Sequence, residues 1–194
     1  MARLRSLCVY CGSSSRVDPA FKEAAAALGR ELAAEQITLV FGGGRVGLMG
    51  IIADAALAAG GKVIGVIPRH LDREEVGHRG IAELHIVETM HERKALMFQL
   101  SDAFAVLPGG LGTLDETFEM NTWRQLGLHD RPVVLVNQYG YWDPLLAMLH
   151  GIAEAGFAQR GLFELFTEVK RVDEVIPTIR TLPDAAIPAQ PHKT

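Results

Sequence analysis

The residues with the most chemical potential cluster in the middle of the chain. Pro108, Gly109, Gly110, Leu111, Gly112 and Thr113 form a glycine-rich loop behind an apolar run, and Asp115 and Glu116 follow within a turn. Such loops, where they open a helix, cradle phosphate, because backbone N–H groups and the helix dipole point at the ligand. A carboxylate behind the loop repels phosphate and needs a reason to be there. One reason is structural: Thr113-Leu-Asp-Glu116 has the T-x-x-E form of a capping box, with Thr113 as cap and Glu116 reaching back to its amide. A second T-x-x-E runs from Thr89 to Glu92, with Arg93 and Lys94 immediately behind it. Met90, Met97 and Leu100 make an apolar stripe on that helix, and Arg93 falls on it. A lone Arg on such a stripe commonly snorkels to the surface. Yet this helix feeds the strand that ends at the glycine loop, so Arg93 and Glu116 can also meet at one crevice.

Strand and helix patterns alternate around these residues. Strands are predicted over Leu4 to Tyr10, Ile37 to Phe41, Lys62 to Ile67, Glu83 to Val87, Asp102 to Leu107, Pro132 to Val136 and Phe166 to Val169. Helices are predicted from Pro19, capped by Asp18, to Glu35; from the loop after Phe41 to Ala59; from Thr89 to Leu100; from the glycine loop to Leu126; from Tyr141 to Ala155; and from Asp173 to Leu182. Arg69 to Gly80 is polar and mixed in charge, and reads as a loop. The pattern implies an α/β fold, Rossmann-like and doubly wound, with a mostly parallel sheet and helices on both faces. Residues 1–182 read as one domain and 183–194 as a disordered tail. Ligands in such sheets bind beyond the carboxyl ends of the strands. Gly12 to Ser15, Gly42 to Gly47 and Gly109 to Thr113 are the loops at those ends.

Other motifs are weaker. Gly42, Gly44 and Gly47 spell G-x-G-x-x-G between a strand and a helix. They follow the second strand, and the next strand ends in Pro68, Arg69 and His70 where a ribose-binding acid belongs. No Gly-Lys-Ser/Thr of a Walker loop occurs. Cys8 and Cys11 are spaced as a redox or half-zinc pair, but on a strand they face opposite ways. The seven histidines are scattered with no H-E-x-x-H or similar cluster, so no metal is implied, and no resident cofactor is expected. With 48% hydrophobic and 22% charged residues and a net charge of −4, the chain lacks the basic surface that nucleic acid demands. The first apolar run is too short for a signal peptide, and the most apolar span, Ile51 to Pro68, carries Asp54 and Lys62. The expectation is a cytoplasmic protein with no membrane segment.

The segments Pro108 to Glu116, of form P-G-G-x-G-T-x-x-E, and Met90 to Met97, of form M-H-x-R-K-x-x-M, resemble the two signatures of the Lonely Guy family of nucleotide phosphoribohydrolases. "CVYCGSS" from Cys8, "GGGRVGLMG" from Gly42 and "TWRQLGLHDRPVVLVN" from Thr122 resemble it too. The resemblance implies hydrolysis of the N-glycosidic bond of a nucleoside 5′-monophosphate, best an N6-substituted adenine nucleotide, giving free base and ribose 5-phosphate. It implies Glu116 and Arg93 as the essential pair. It implies a nucleotide site that includes Lys94, Thr113, Asp115 and Thr122. Gly109, Gly110, Leu111, Gly112 and Leu114 would join Thr113 around the 5′-phosphate, with Gly12, Ser13, Gly43 and Gly44 on the neighbouring loops. An acid from the polar segment, Glu74 or Glu75, would contribute. A homodimer is expected, and the helix from Thr117 to Leu128, with Trp123, offers a face for it or packs inward. Proteins of this kind have carried the label lysine decarboxylase, for which no lysine here has a suitable context. Two rivals are a non-catalytic nucleotide or molybdenum-cofactor carrier on the same fold, and a nicotinamide-dependent oxidoreductase using Gly42 to Gly47.

Overall fold

The computed structural model describes residues 4–74, 77–158 and 161–182. Glu75 and the segment 183–194 lie outside the described residues. The elements run β1 (Ser6–Tyr10), α1 (Pro19–Ala34), β2 (Thr38–Phe41), α2 (Gly47–Ala58), β3 (Val63–Pro68), α3 (Arg69–Glu74), β4 (Glu83–Val87) and α4 (Met90–Gln99). The second half continues with β5 (Ala103–Val106), α5 (Leu111–Gln125), β6 (Val133–Val136), α6 (Asp143–Glu154), β7 (Thr167–Val169) and α7 (Val175–Thr181).

All seven strands join one sheet in the order β4-β3-β2-β1-β5-β6-β7, and every pairing is parallel. The strands are apolar throughout because both faces are covered. Alternation divides them between two cores. Leu7, Val9, Leu39, Phe41, Ala105 and Val134 pack with α1, α2 and α7. Cys8, Tyr10, Val40, Phe104, Val106 and Leu135 pack with Met97 of α4, Met120 of α5 and Trp142 ahead of α6. Cys8 and Cys11 are free, buried and on opposite faces, and burial pushes both thiols up. Asp18 caps α1 by accepting from the Ala20 amide at 2.8 Å, with Pro19 as the first helical residue.

Two expectations need correction. Residues 69–74 form the short helix α3 and not a loop. A helix of under two turns has too few positions to display a 3.6-residue period. Thr113 does not cap its helix: α5 begins two residues earlier, with Gly110 as the cap and no side-chain cap bond. Thr89 does act as the cap of α4, its hydroxyl accepting from the Glu92 amide at 3.1 Å. Trp123 packs inward, its ring 5.3 Å from that of Phe98 in an edge-on contact.

Candidate functional site

β1 and β5 are neighbours in the sheet, and chain order runs outward from them in opposite directions. The loops beyond their carboxyl ends therefore diverge and leave a crevice. The rims of that crevice are tied together by the backbone. The Gly12 amide donates to the Pro108 carbonyl at 3.1 Å, and the Leu48 amide to the Gly12 carbonyl at 2.9 Å. Gly47 sits so close to the Ser13 backbone that a Cβ would lie 2.3 Å from its carbonyl carbon, and its φ of +63° suits glycine.

The cleft encloses about 250 Å³. Gly12, Ser13, Gly110, Leu111, Gly112 and Thr113 form a glycine-rich wall. Tyr10 and Cys11, with Gly42 and Met49, line it from the sheet side, and Leu71, Met90 and Met97 add an apolar margin. Arg93 and Glu116 both line it. Leu111, Gly112 and Thr113 are the first residues of α5, so their N–H groups have no intrahelical acceptor and remain available to an anion.

Arg93 and Glu116 are 8% and 6% exposed, and the Arg93 Nη1 donates to Glu116 Oε1 at 2.9 Å. The same guanidinium donates from Nε to the Val66 carbonyl at 3.1 Å and from Nη2 to the Gly42 carbonyl at 3.4 Å. Arg93 thus stays inside and does not snorkel. Burial pushes the Glu116 carboxyl above the usual carboxylate range; Arg93 opposes this, Asp115 adds to it and Lys94 opposes it. The pair supplies a carboxylate whose proton affinity is raised, beside a cation that cannot lose its proton.

The predicted site residues divide. Arg93, Glu116, Gly12, Ser13, Gly110, Leu111, Gly112 and Thr113 come together in the cleft. Gly109 adjoins it, its carbonyl accepting from the Tyr141 hydroxyl at 2.7 Å. Lys94 and Asp115 pair with each other outside the lining, 3.0 Å apart, and Lys94 also lies 3.2 Å from Glu119. Burial pulls the Lys94 ammonium down, but these two carboxylates outweigh it and hold it above its ordinary value. Leu114 packs against the core beneath α5, and Thr122 is exposed farther along that helix. Gly43 is buried against Ile67, Leu84 and Val66, and Gly44 bridges Gly77. Gly42, Tyr10 and the apolar Met49, Leu71, Met90 and Met97 were not among the predicted contacts. Tyr10, Gly42, Met49, Met90 and Met97 lie within the motifs that carry the resemblance but read there as glycine turn or core, and Leu71 falls in a segment that reads as a loop. Among the described residues, no group of three or more His, Cys, Asp or Glu is placed to hold a metal ion.

Residues 49–179 match the family model described as possible lysine decarboxylase. The chain is 43% identical over 178 residues to the cytokinin riboside 5′-monophosphate phosphoribohydrolase of Rhodococcoides fascians, covering 91% of this chain and 90% of that protein. It is 47% identical over 156 residues to an Arabidopsis thaliana protein of the same name, covering 80% of this chain and 73% of that one. Among solved structures, the molybdenum cofactor binding protein of Rippkaea orientalis superposes with a TM-score of 0.70 at 20% identity, covering 93% and 98% of the two chains. The molybdenum cofactor carrier protein of Chlamydomonas reinhardtii superposes with a TM-score of 0.69 at 20% identity, covering 92% and 97%. These last two share the fold.

Proposed function

The chain belongs to the Lonely Guy family, and on that premise we propose that it is a nucleoside 5′-monophosphate phosphoribohydrolase. It hydrolyses the N-glycosidic bond of adenosine 5′-monophosphates, N6-substituted ones included, releasing free base and ribose 5-phosphate. The observation that carries this reading is the buried Arg93–Glu116 pair, 2.9 Å apart, lining the same cleft as the free amides of Leu111, Gly112 and Thr113.

The 5′-phosphate sits on those amides, at the positive end of α5. Glu116, one turn farther on, faces the other end of the ribose. As the bond between the anomeric carbon and the base nitrogen breaks, the base leaves with the electron pair and takes up a proton. Positive charge develops on the sugar. The Glu116 carboxylate stabilises that charge and accepts a proton from the water whose oxygen bonds the anomeric carbon. Arg93 keeps Glu116 ionised and aimed. The acid and the phosphate therefore address opposite ends of one sugar. Met90, Leu71 and Met49 give the cleft an apolar margin suited to a base with an apolar N6 substituent.

The label of the family model fits poorly. No lysine lines the cleft among the described residues, so a Schiff base has no amine there. The carrier reading rests on likeness of fold. The nicotinamide reading lacks its acid, since β3 ends in Pro68 and Arg69 follows.

Plain AMP is within the proposed substrate range, and a cytoplasmic setting suits two free, buried thiols. We also propose a homodimer. Phe118 on α5 and Leu126 and Leu128 beyond it are exposed apolar residues, 38%, 63% and 58% accessible. Light scattering that returns the mass of one chain would refute it. The activity is tested by offering AMP, GMP, CMP, UMP and N6-isopentenyl-AMP and assaying free base. Release from the adenine nucleotides is expected, and no base from any of them overturns the reading.

A further inference from the structure

We infer that Tyr141 is a positioning residue, which holds the glycine loop in its anion-receiving shape through the carbonyl of Gly109. The inference rests on the reading that this loop receives the substrate's 5′-phosphate. The Tyr141 hydroxyl donates to the Gly109 carbonyl at 2.7 Å, across 32 residues of chain. The preceding carbonyl, of Pro108, accepts from the Gly12 amide at 3.1 Å. Both carbonyls ahead of α5 are thus occupied by donors. A carbonyl left free to rotate can face the cleft, where its oxygen repels an anion. Tying both keeps the loop presenting N–H groups.

The path that brings Tyr141 there is unusual. Between β6 and α6 the chain makes a tight turn, Gln138–Gly140, in which Tyr139 has φ 57° and Gly140 φ 71°. The left-handed region is an outlier for a bulky aromatic residue. Such strain persists where the surroundings over-determine it, and it clusters at ligand clamps. Asn137 does the over-determining. It is fully buried, and its Oδ1 accepts from the Trp142 amide at 2.7 Å. Its Nδ2 donates to Asp143 at 2.7 Å and to Glu168 at 2.6 Å. The turn is thereby clamped on both sides. The Tyr141 ring is held in turn by Phe21 of α1, edge-on at 5.5 Å, and by Trp142 at 4.8 Å. Tyr141 does not line the cleft, so it acts on the loop and not on the ligand.

The test is Tyr141→Phe, which keeps the ring and its packing and removes only the hydroxyl. For the nucleotide turned over fastest, kcat and KM are measured, with inhibition by ribose 5-phosphate and by adenine, and thermal unfolding as the check on folding. A hydroxyl–carbonyl bond of this kind is worth about 2- to 10-fold in an equilibrium. KM and the ribose 5-phosphate inhibition constant are expected to rise together by about that factor, while kcat and the adenine constant hold. Equal weakening of adenine shows general loosening and overturns the inference, as does an unchanged ribose 5-phosphate constant. Wild-type protein that releases no base and binds no ribose 5-phosphate overturns the functional reading and this inference with it. Wild-type protein that cleaves nucleotides while the variant is indistinguishable overturns this inference alone.

Discussion

Lys94 and Asp115 form an ion pair of 3.0 Å beside that of Arg93 and Glu116, each being the chain neighbour of a member of that pair. With Lys94 also 3.2 Å from Glu119, α4 and α5 are joined by three ion pairs. The outer bridge sets the field around the inner one, because Asp115 raises the proton affinity of Glu116 and Lys94 lowers it. The inner pair is closed and buried, so the two kinds of bridge respond differently to substitution.

Glu116→Gln retains an oxygen for the Arg93 Nη1 and loses the base. We expect kcat to fall about 10²–10⁴-fold with nucleotide affinity largely kept. Glu116→Ala instead leaves a buried guanidinium without a counter-charge and should destabilise the fold by about 3–5 kcal/mol. Steady-state kinetics with chemical denaturation separates the two. Near-full activity in the Gln variant would reduce Glu116 to a structural counter-ion.

Arg93 spans three acceptors, on Val66, Gly42 and Glu116, which only a planar fork can reach together. Arg93→Lys should not rescue activity, and each buried acceptor left unpaired costs about 1–3 kcal/mol. Gly42→Ala approaches the same group from the other side, since its Cβ would fall 1.9 Å from Nη2. The guanidinium must then leave its place, and kcat/KM should drop about as far as in Arg93→Lys. An active Lys variant would mean that Arg93 supplies charge alone.

The pH profile follows from the raised proton affinity of Glu116. The base form is the ionised one, so kcat/KM should fall as pH drops through a value above the usual ~4.3 of a glutamate. Asp115→Asn removes a negative neighbour and should move that limb down; Lys94→Met should move it up. Stability runs the other way. A carboxyl raised in the folded state contributes stability that is complete below its ordinary value and is lost as pH rises through the raised one. A limb at or below the ordinary value, unmoved by either substitution, would contradict this account.

Much of the architecture was legible because alternating apolar strands and capped helices leave local marks, such as Asp18-Pro19 ahead of α1. The limit shows in the two T-x-x-E segments. Thr89 is a cap and Thr113 is not, although the pattern is the same. What separates them is that Gly110 takes the cap position of α5, and that Arg93 engages Glu116 from another helix, which no local rule can see. Glu92, free of such a partner, turns back to accept from the Glu88 amide at 2.9 Å. Lys94 and Asp115 are expected at the nucleotide site from the resemblance but face each other, a matter of which side of two crossing helices they occupy. Met49, Leu71 and Met90 could not be told from core residues, because apolar cleft and apolar core are written in the same side chains.

The backbone stitches from Gly12 to Pro108 and from Leu48 to Gly12 have a kinetic meaning. A receptor whose edges are already sewn to one another has little ordering left to do when a guest arrives. Encounter should then be governed by diffusion and charge, with no slow closing step, and the guest's residence time should report the strength of its grip alone.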